Sequence, residues 1–214
     1  MNKKNKVFTI IITIVIIFAI SFLIWGGSKN KTSAPAAVDQ HGHPLAASVS
    51  AQPFNLKELI GKPALEFSLA DKDGKIYSSD NLRGKNIVLF FNEGLMCYPA
   101  CWNQIVALAK DERLKNADTV VLSVVVDPPG EWQKAVKQMP ELAEAIVVFD
   151  TNADISKKFG VLTTQSSMHY GSLPGHTFIL IDKKGMIEHI FDDPNMSIHN
   201  DQLVAELSKL SQNQ

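Results

Sequence analysis

The sequence predicts an α/β domain built on a central mixed β-sheet flanked by helices, with an N-terminal transmembrane helix ahead of it. Three observations carry that prediction. Short runs such as Asn86–Phe91 and Thr119–Val126 are almost wholly apolar, as expected of strands covered on both faces. They alternate with amphipathic helical segments, which implies right-handed crossovers and a mainly parallel core. Late in the chain, His176–Ile181, the turn Asp182-Lys183-Lys184-Gly185 and Met186–Phe191 read as a hairpin. That hairpin adds antiparallel pairing and makes the sheet mixed.

Taken in order, residues 1–26 form the anchor. Val7 to Trp25 contains no charge and only Thr9, Thr13 and Ser21 as polar residues, long enough to cross a bilayer core as a helix. Lys3, Lys4 and Lys6 precede it, placing the N-terminus in the cytoplasm and the rest of the chain outside. Its length argues against a cleaved secretory signal, as does the lack of a small-x-small site close behind Trp25. Residues 27–53 are rich in Ser, Ala, Pro and Gln without hydrophobic period and read as a flexible linker. The pair His41 and His43 within it lacks the further ligands a metal site needs.

The globular domain spans residues 54–212. Leu65–Leu69 alternates as a half-buried strand, Asp71–Gly74 is a turn and Lys75–Tyr77 its partner strand. Ser79 or Asp80 can cap a short helix ending near Gly84. After the strand at Asn86–Phe91 comes a helix over Pro99–Asn116, with Ala100, Ile105, Leu108 and Ala109 on its buried stripe. Asp127-Pro128-Pro129-Gly130 breaks the chain before a helix over Glu131–Met139. Ile146–Phe149 is a strand, Ala153–Phe159 a helix closed by Gly160, and Val161–Gly175 a polar loop. A last amphipathic helix runs from Ile198 to Leu210.

Composition excludes several functions. A net charge of −1 offers no footprint for nucleic acid. The chain has no phosphate-binding Gly-rich loop of the required form and no HExxH. What remains is thiol chemistry: the two cysteines, Cys97 and Cys101, lie where an apolar strand gives way to a helical pattern. A cysteine at a helix start meets unpaired N–H groups and the positive dipole end, and both favour the reactive thiolate. A structural disulfide and a metal site are the alternatives, and for the first so short a loop would constrain the unfolded chain little.

The stretches GKPALEFSLADKDGKIYSSDNLRGKNIVLFFNEG, SVVVDP, FDTNADISKKFGV and GHTFILIDKKGMI resemble the redoxin branch of the thioredoxin-like superfamily. That branch joins peroxiredoxins of the AhpC/TSA family to membrane-tethered thiol–disulfide oxidoreductases. The resemblance covers about Phe54 to Leu210 and implies a thioredoxin-like fold. It also implies an oxidoreductase whose catalytic residues are Cys97, the exposed nucleophile, and Cys101, the resolving thiol. Substrates would be protein thiols and disulfides, or peroxide, with no cofactor required. The peroxiredoxin signature, Pro and Thr or Ser seven and three residues before the peroxidatic Cys, is missing. Those positions are Gly94 and Tyr98 before Cys101, and Phe90 and Gly94 before Cys97.

The chain is also similar to the Sco/SenC copper-assembly proteins, which carry Cys-x-x-x-Cys and a distal His. That likeness implies copper held by Cys97, Cys101 and His176 as the alternative function. His176 occupies the slot that is a cis-proline in thioredoxins, so it is expected to face the sulfurs. The Sco motif has Pro after its second Cys, where this chain has Trp102. Trp102 is expected to cover the pair or pack in the core. Glu93 is a candidate proton shuttle to Cys101, with a solvated loop carboxylate as the plainer reading. Met96, Met168 and His169 are read as packing or surface residues.

Overall fold

The computed structural model describes residues 55–212; the expected anchor and linker, with His41 and His43, lie outside the described residues. Among the described residues no helix is long and apolar enough to cross a membrane. Seven strands form one sheet: β1 Ser68–Asp71, β2 Ile76–Ser78, β3 Asn86–Phe91, β4 Thr119–Val125, β5 Val147–Phe149, β6 Thr177–Ile181 and β7 Ile187–Asp192. Their spatial order is β2-β1-β5-β4-β3-β6-β7. The α-helices among the described residues are α1 Ala100–Lys110, α2 Pro129–Gln138, α3 Asp154–Lys158 and α4 Asn200–Gln212.

The sheet is mixed as expected, but its parallel part is smaller than the alternation of strands and helices suggests. Only β3–β4 and β4–β5 pair in parallel. The β1–β2, β1–β5, β3–β6 and β6–β7 pairs are antiparallel. The β1–β2 hairpin joins the β5 edge, and the β6–β7 hairpin adds to the other side of β3. Apolar runs show that a strand is buried on both faces, not which way its neighbour points.

All six residues of β3 are buried, and they serve two separate cores. Ile87, Leu89 and Phe91 face one layer with Phe67, Leu122, Phe159, Val161 and Ile179. Val88 and Phe90 face the other, with Trp102, Ile105 and Leu108 of α1, Trp132 of α2 and Leu203 and Leu207 of α4. The two-residue side-chain period of a strand sorts them.

Two predicted helices differ from the structure. Residues 79–84 form consecutive turns, because Ser78 and Asn81 exchange side-chain bonds with each other's backbone and Asn81 Nδ2 donates to Ile76 O. Such short polar side chains compete with the helix ladder. Helix α1 stops at Lys110 rather than near Asn116. Asp111 is extended there (φ −79°, ψ 107°), and its carboxylate accepts the Arg113 N–H and the Arg113 guanidinium.

Candidate active site

The register of the central strands assembles the site. Phe91, the last residue of β3, pairs with Thr177, the first of β6. The chain leaving β3 therefore emerges beside the chain entering β6, which brings residues 92–101 next to His176. Asn92 starts the loop: its Oδ1 accepts the Gly94 N–H at 3.0 Å and its Nδ2 donates to Phe90 O at 3.3 Å. Gly94 has φ +56°, and a Cβ placed there would lie 1.7 Å from Asp127 Oδ2. Both the backbone and the space require glycine. A 3₁₀ turn spans Gly94–Cys97, then come a cis Tyr98–Pro99 bond and α1. The turn is fixed from two sides, because Leu95 N–H donates to Asp127 Oδ2 and Trp102 Nε1 donates to Gly94 O, each at 3.0 Å. Trp102 is 3% exposed and packs near Trp132, so it belongs to the core and also fastens the thiol turn.

Cys97 and Cys101 are joined in a disulfide with Cα atoms 5.4 Å apart. They do not share one continuous helix, because the 3₁₀ turn, extended Tyr98 and Pro99 separate Cys97 from α1. It is Cys101, the second residue of α1, that occupies the helix's first turn among the unpaired N–H groups. Nor is Cys97 exposed as the thioredoxin pattern implies: it is 2% exposed and Cys101 fully buried.

His176 faces the sulfurs, its Nδ1 3.5 Å from Cys101 Sγ. Its ring meets Phe90 edge-on at 4.7 Å and Phe178 at 5.5 Å. The residue is fully buried, and Nε2 has no partner among the described residues. Burial drives its pKa down to about 4, against the opposing pull of Asp193, so the imidazole is neutral at pH 7. A neutral ring holds a lone pair toward Cys101 when its other nitrogen carries the proton.

Glu93 is neither solvated nor shown in contact with a cysteine. It is 1% exposed and its Oε1 accepts the N–H groups of Met168 and His169 at 2.6 and 2.9 Å. Its Oε2 pairs with His169 Nδ1 at 2.9 Å. The carboxylate therefore ties the start of the thiol loop to the segment before β6. Met96 and Met168 are surface residues, 58% and 57% exposed.

Three contributors escape a reading of the sequence: Asp127, Met196 and Asp193. Burial pushes the Asp127 carboxyl up, with the Leu95 N–H opposing it. Met196 Sδ lies 3.6 Å from Cys97 Sγ. Asp193 shapes the loop carrying Met196, accepting the Asn195 and Ser197 N–H groups and His199 Nε2. Burial raises its pKa and these bonds lower it more, leaving it below the usual carboxylate range. The run Asp193-Pro194-Asn195 is legible as a turn, but nothing local aims its methionine at a cysteine 99 residues away.

A cysteine pair at the mouth of a helix, on a central sheet between two helical layers, defines a thioredoxin-like oxidoreductase. Comparison with known proteins narrows the class. The model of the AhpC/TSA family matches residues 60–190. Peroxiredoxin Bcp of Escherichia coli K12 is 31% identical over 144 residues, covering 66% of this chain and 90% of that protein. Chloroplastic peroxiredoxin Q of Triticum aestivum is 29% identical over 153 residues, covering 69% and 64%. Among solved structures, reduced Plasmodium vivax 2-Cys peroxiredoxin superposes with a TM-score of 0.60 at 20% identity, over 72% of this chain and 98% of that one. A peroxiredoxin-like protein from Aquifex aeolicus gives 0.57 at 18% identity, over 71% and 86%. The chain belongs to the AhpC/TSA family, and it is an oxidoreductase.

Proposed function

We propose that this protein is a membrane-anchored, extracytoplasmic thiol–disulfide oxidoreductase working through the Cys97–Cys101 pair. The observation that carries the reading is the disulfide itself, seated at the start of α1 with His176 Nδ1 3.5 Å from Cys101 Sγ. The reduced pair reacts in two steps. Cys97 thiolate attacks a disulfide of the substrate and forms a mixed disulfide, releasing one substrate thiolate. Cys101 thiolate then attacks Cys97 Sγ, the intramolecular disulfide closes and the second substrate thiolate leaves. The α1 N-terminus stabilises the Cys101 thiolate, and His176 offers its lone pair to the Cys101 S–H before ionisation. Held neutral by burial, His176 orients that proton rather than storing positive charge.

Peroxide is the second substrate class. The relatives named peroxiredoxins support it; Gly94 and Tyr98, standing where a peroxidatic Cys101 would have Pro and Thr, argue for slow turnover. The membrane placement rests on the uncharged residues 7–25 and the lysines before them.

The reduced chain is assayed with insulin disulfides and with hydroperoxide, beside Cys97→Ser and Cys101→Ser. Insulin reduction is expected to vanish in Cys97→Ser, while Cys101→Ser accumulates a mixed disulfide on Cys97. Unchanged insulin reduction in Cys97→Ser would sink the reading. Labelling of Tyr170→Cys, at a position 67% exposed, by a membrane-impermeant maleimide in intact cells, in a Cys97→Ser, Cys101→Ser background, tests the location, and absence of labelling before lysis would overturn it.

One observation favours a second reading, copper delivery. The ligand atoms of Cys97, Cys101 and His176 all lie within 4.8 Å of one another, and thiolates with imidazole suit Cu(I). Under this reading reduced protein binds Cu(I) at one equivalent and His176→Ala loses it; no binding removes the reading.

A further inference from the structure

The sulfur that the proposed mechanism exposes to its partners is covered. Cys97 is 2% exposed, and Met196 Sδ lies against its Sγ at 3.6 Å. Met196 is held in an unusual way. Its backbone is left-handed, φ +52°, a conformation that L side chains rarely adopt and that persists only where the surroundings enforce it. Here they do. The Met196 N–H donates to Asp193 O at 3.1 Å, and the residues on either side, Asn195 and Ser197, donate their N–H groups to the Asp193 carboxylate. The loop is bonded to both walls of the site. Asp193 N–H donates to His176 O at 3.0 Å, and His199 N–H donates to Gln104 Oε1 of α1 at 2.8 Å. Gln104 is itself fully buried and bonded to Asn200. The thioether is therefore held over Cys97 by a rigid strap. Methionine suits the task, since its unbranched side chain can swing aside without moving the backbone.

We propose that Met196 is a specificity-determining cover over Cys97, which slows attack by small thiols and yields to a docked protein partner that displaces its side chain. The inference rests on Cys97 being the sulfur attacked. In the step at issue, a reductant thiolate attacks Cys97 Sγ and bonds to it. The Cys97–Cys101 bond breaks, and its electron pair leaves on Cys101 as thiolate. The second thiol of the reductant then displaces Cys97, so one dithiol is oxidised and the protein pair reduced. A cover acts on the rate of this exchange and leaves its equilibrium alone.

The experiment measures reduction of the oxidised full chain by dithiothreitol and by a reduced thioredoxin, using quenched alkylation, for wild type, Met196→Ala and Met196→Leu. Dithiothreitol is expected to reduce Met196→Ala about tenfold faster than wild type, a barrier change of ~1.4 kcal/mol. Met196→Leu, which restores the bulk without the sulfur, should stay near wild type. The rate with thioredoxin and the equilibrium with dithiothreitol should hardly move in either variant. Equal dithiothreitol rates for Met196→Ala and wild type would overturn the cover, as would an equilibrium shift that matches the rate change. Glutathione adduct mapping separates this outcome from failure of the mechanism. An adduct on Cys97 with unchanged rates overturns the cover alone; an adduct on Cys101 overturns the assigned roles and the cover with them.

Discussion

At the scale of single residues, the site depends on positions whose chemistry is plain only once their neighbours are known. Gly94 is the sharpest case. Gly94→Ala would combine a left-handed backbone with a Cβ driven into Asp127. We expect a loss of about 3 kcal/mol in a urea titration, and an unchanged midpoint would mean that Asp127 swings away freely. Cys97 and Cys101 could be named from the sequence because they lie where an apolar strand gives way to a helical pattern, and His176 through the resemblance to thioredoxins and Sco proteins. The burial of Cys97 was hidden there, since Met196, which lies against it, is distant in the sequence. So was the placing of Cys101 rather than Cys97 in the first turn of α1, since the break at Tyr98–Pro99 depends on how the 3₁₀ turn is fastened.

At the scale of elements, Glu93 joins two segments that have no secondary structure in common. It accepts two backbone N–H groups and pairs with the His169 ring, so Glu93→Ala strands two donors. That should cost about 1–3 kcal/mol, and the segment around Met168 and Tyr170, both well exposed, should become the first point of proteolytic cleavage. Glu93→Gln keeps an acceptor oxygen and should be cleaved more slowly than Glu93→Ala. Equal cleavage of both variants and wild type would show that the segment is held elsewhere. Strand and helix positions were largely legible from period and turn residues. The exceptions share one cause: at residues 78–81 and 111–113, short polar side chains bond the local backbone and end or replace the expected helix.

At the scale of the whole molecule, burial of His176 links stability to pH. Its folded pKa, about 4, lies below the unfolded value of 6.5. Between these values the unfolded chain takes up a proton that the folded chain refuses, so stability falls as pH drops through this window and is fully present above it. The shift corresponds to ~3 kcal/mol. Urea titrations at pH 7 and pH 4 should show a loss of that order, and His176→Phe should lose much of that slope. The same slope in His176→Phe would assign the effect to other groups. The layered α/β architecture was legible from the apolar runs and the amphipathic helical segments between them. The strand directions were not, because direction is set by which edge each hairpin joins, a long-range choice that leaves no mark on the runs themselves.

The separation of only four residues between Cys97 and Cys101 makes the pair's electron affinity accessible to a folding experiment. A loop that small restrains the denatured chain little, so the denatured protein serves as a reference close to a free peptide of the same sequence. Any difference in unfolding free energy between the oxidised and reduced proteins is then the amount by which the fold itself prefers one redox state. Each ~30 mV of displacement from the peptide's potential appears as ~1.4 kcal/mol. A greater stability of the reduced protein marks it as an electron acceptor relative to that peptide, and a greater stability of the oxidised protein marks it as a donor.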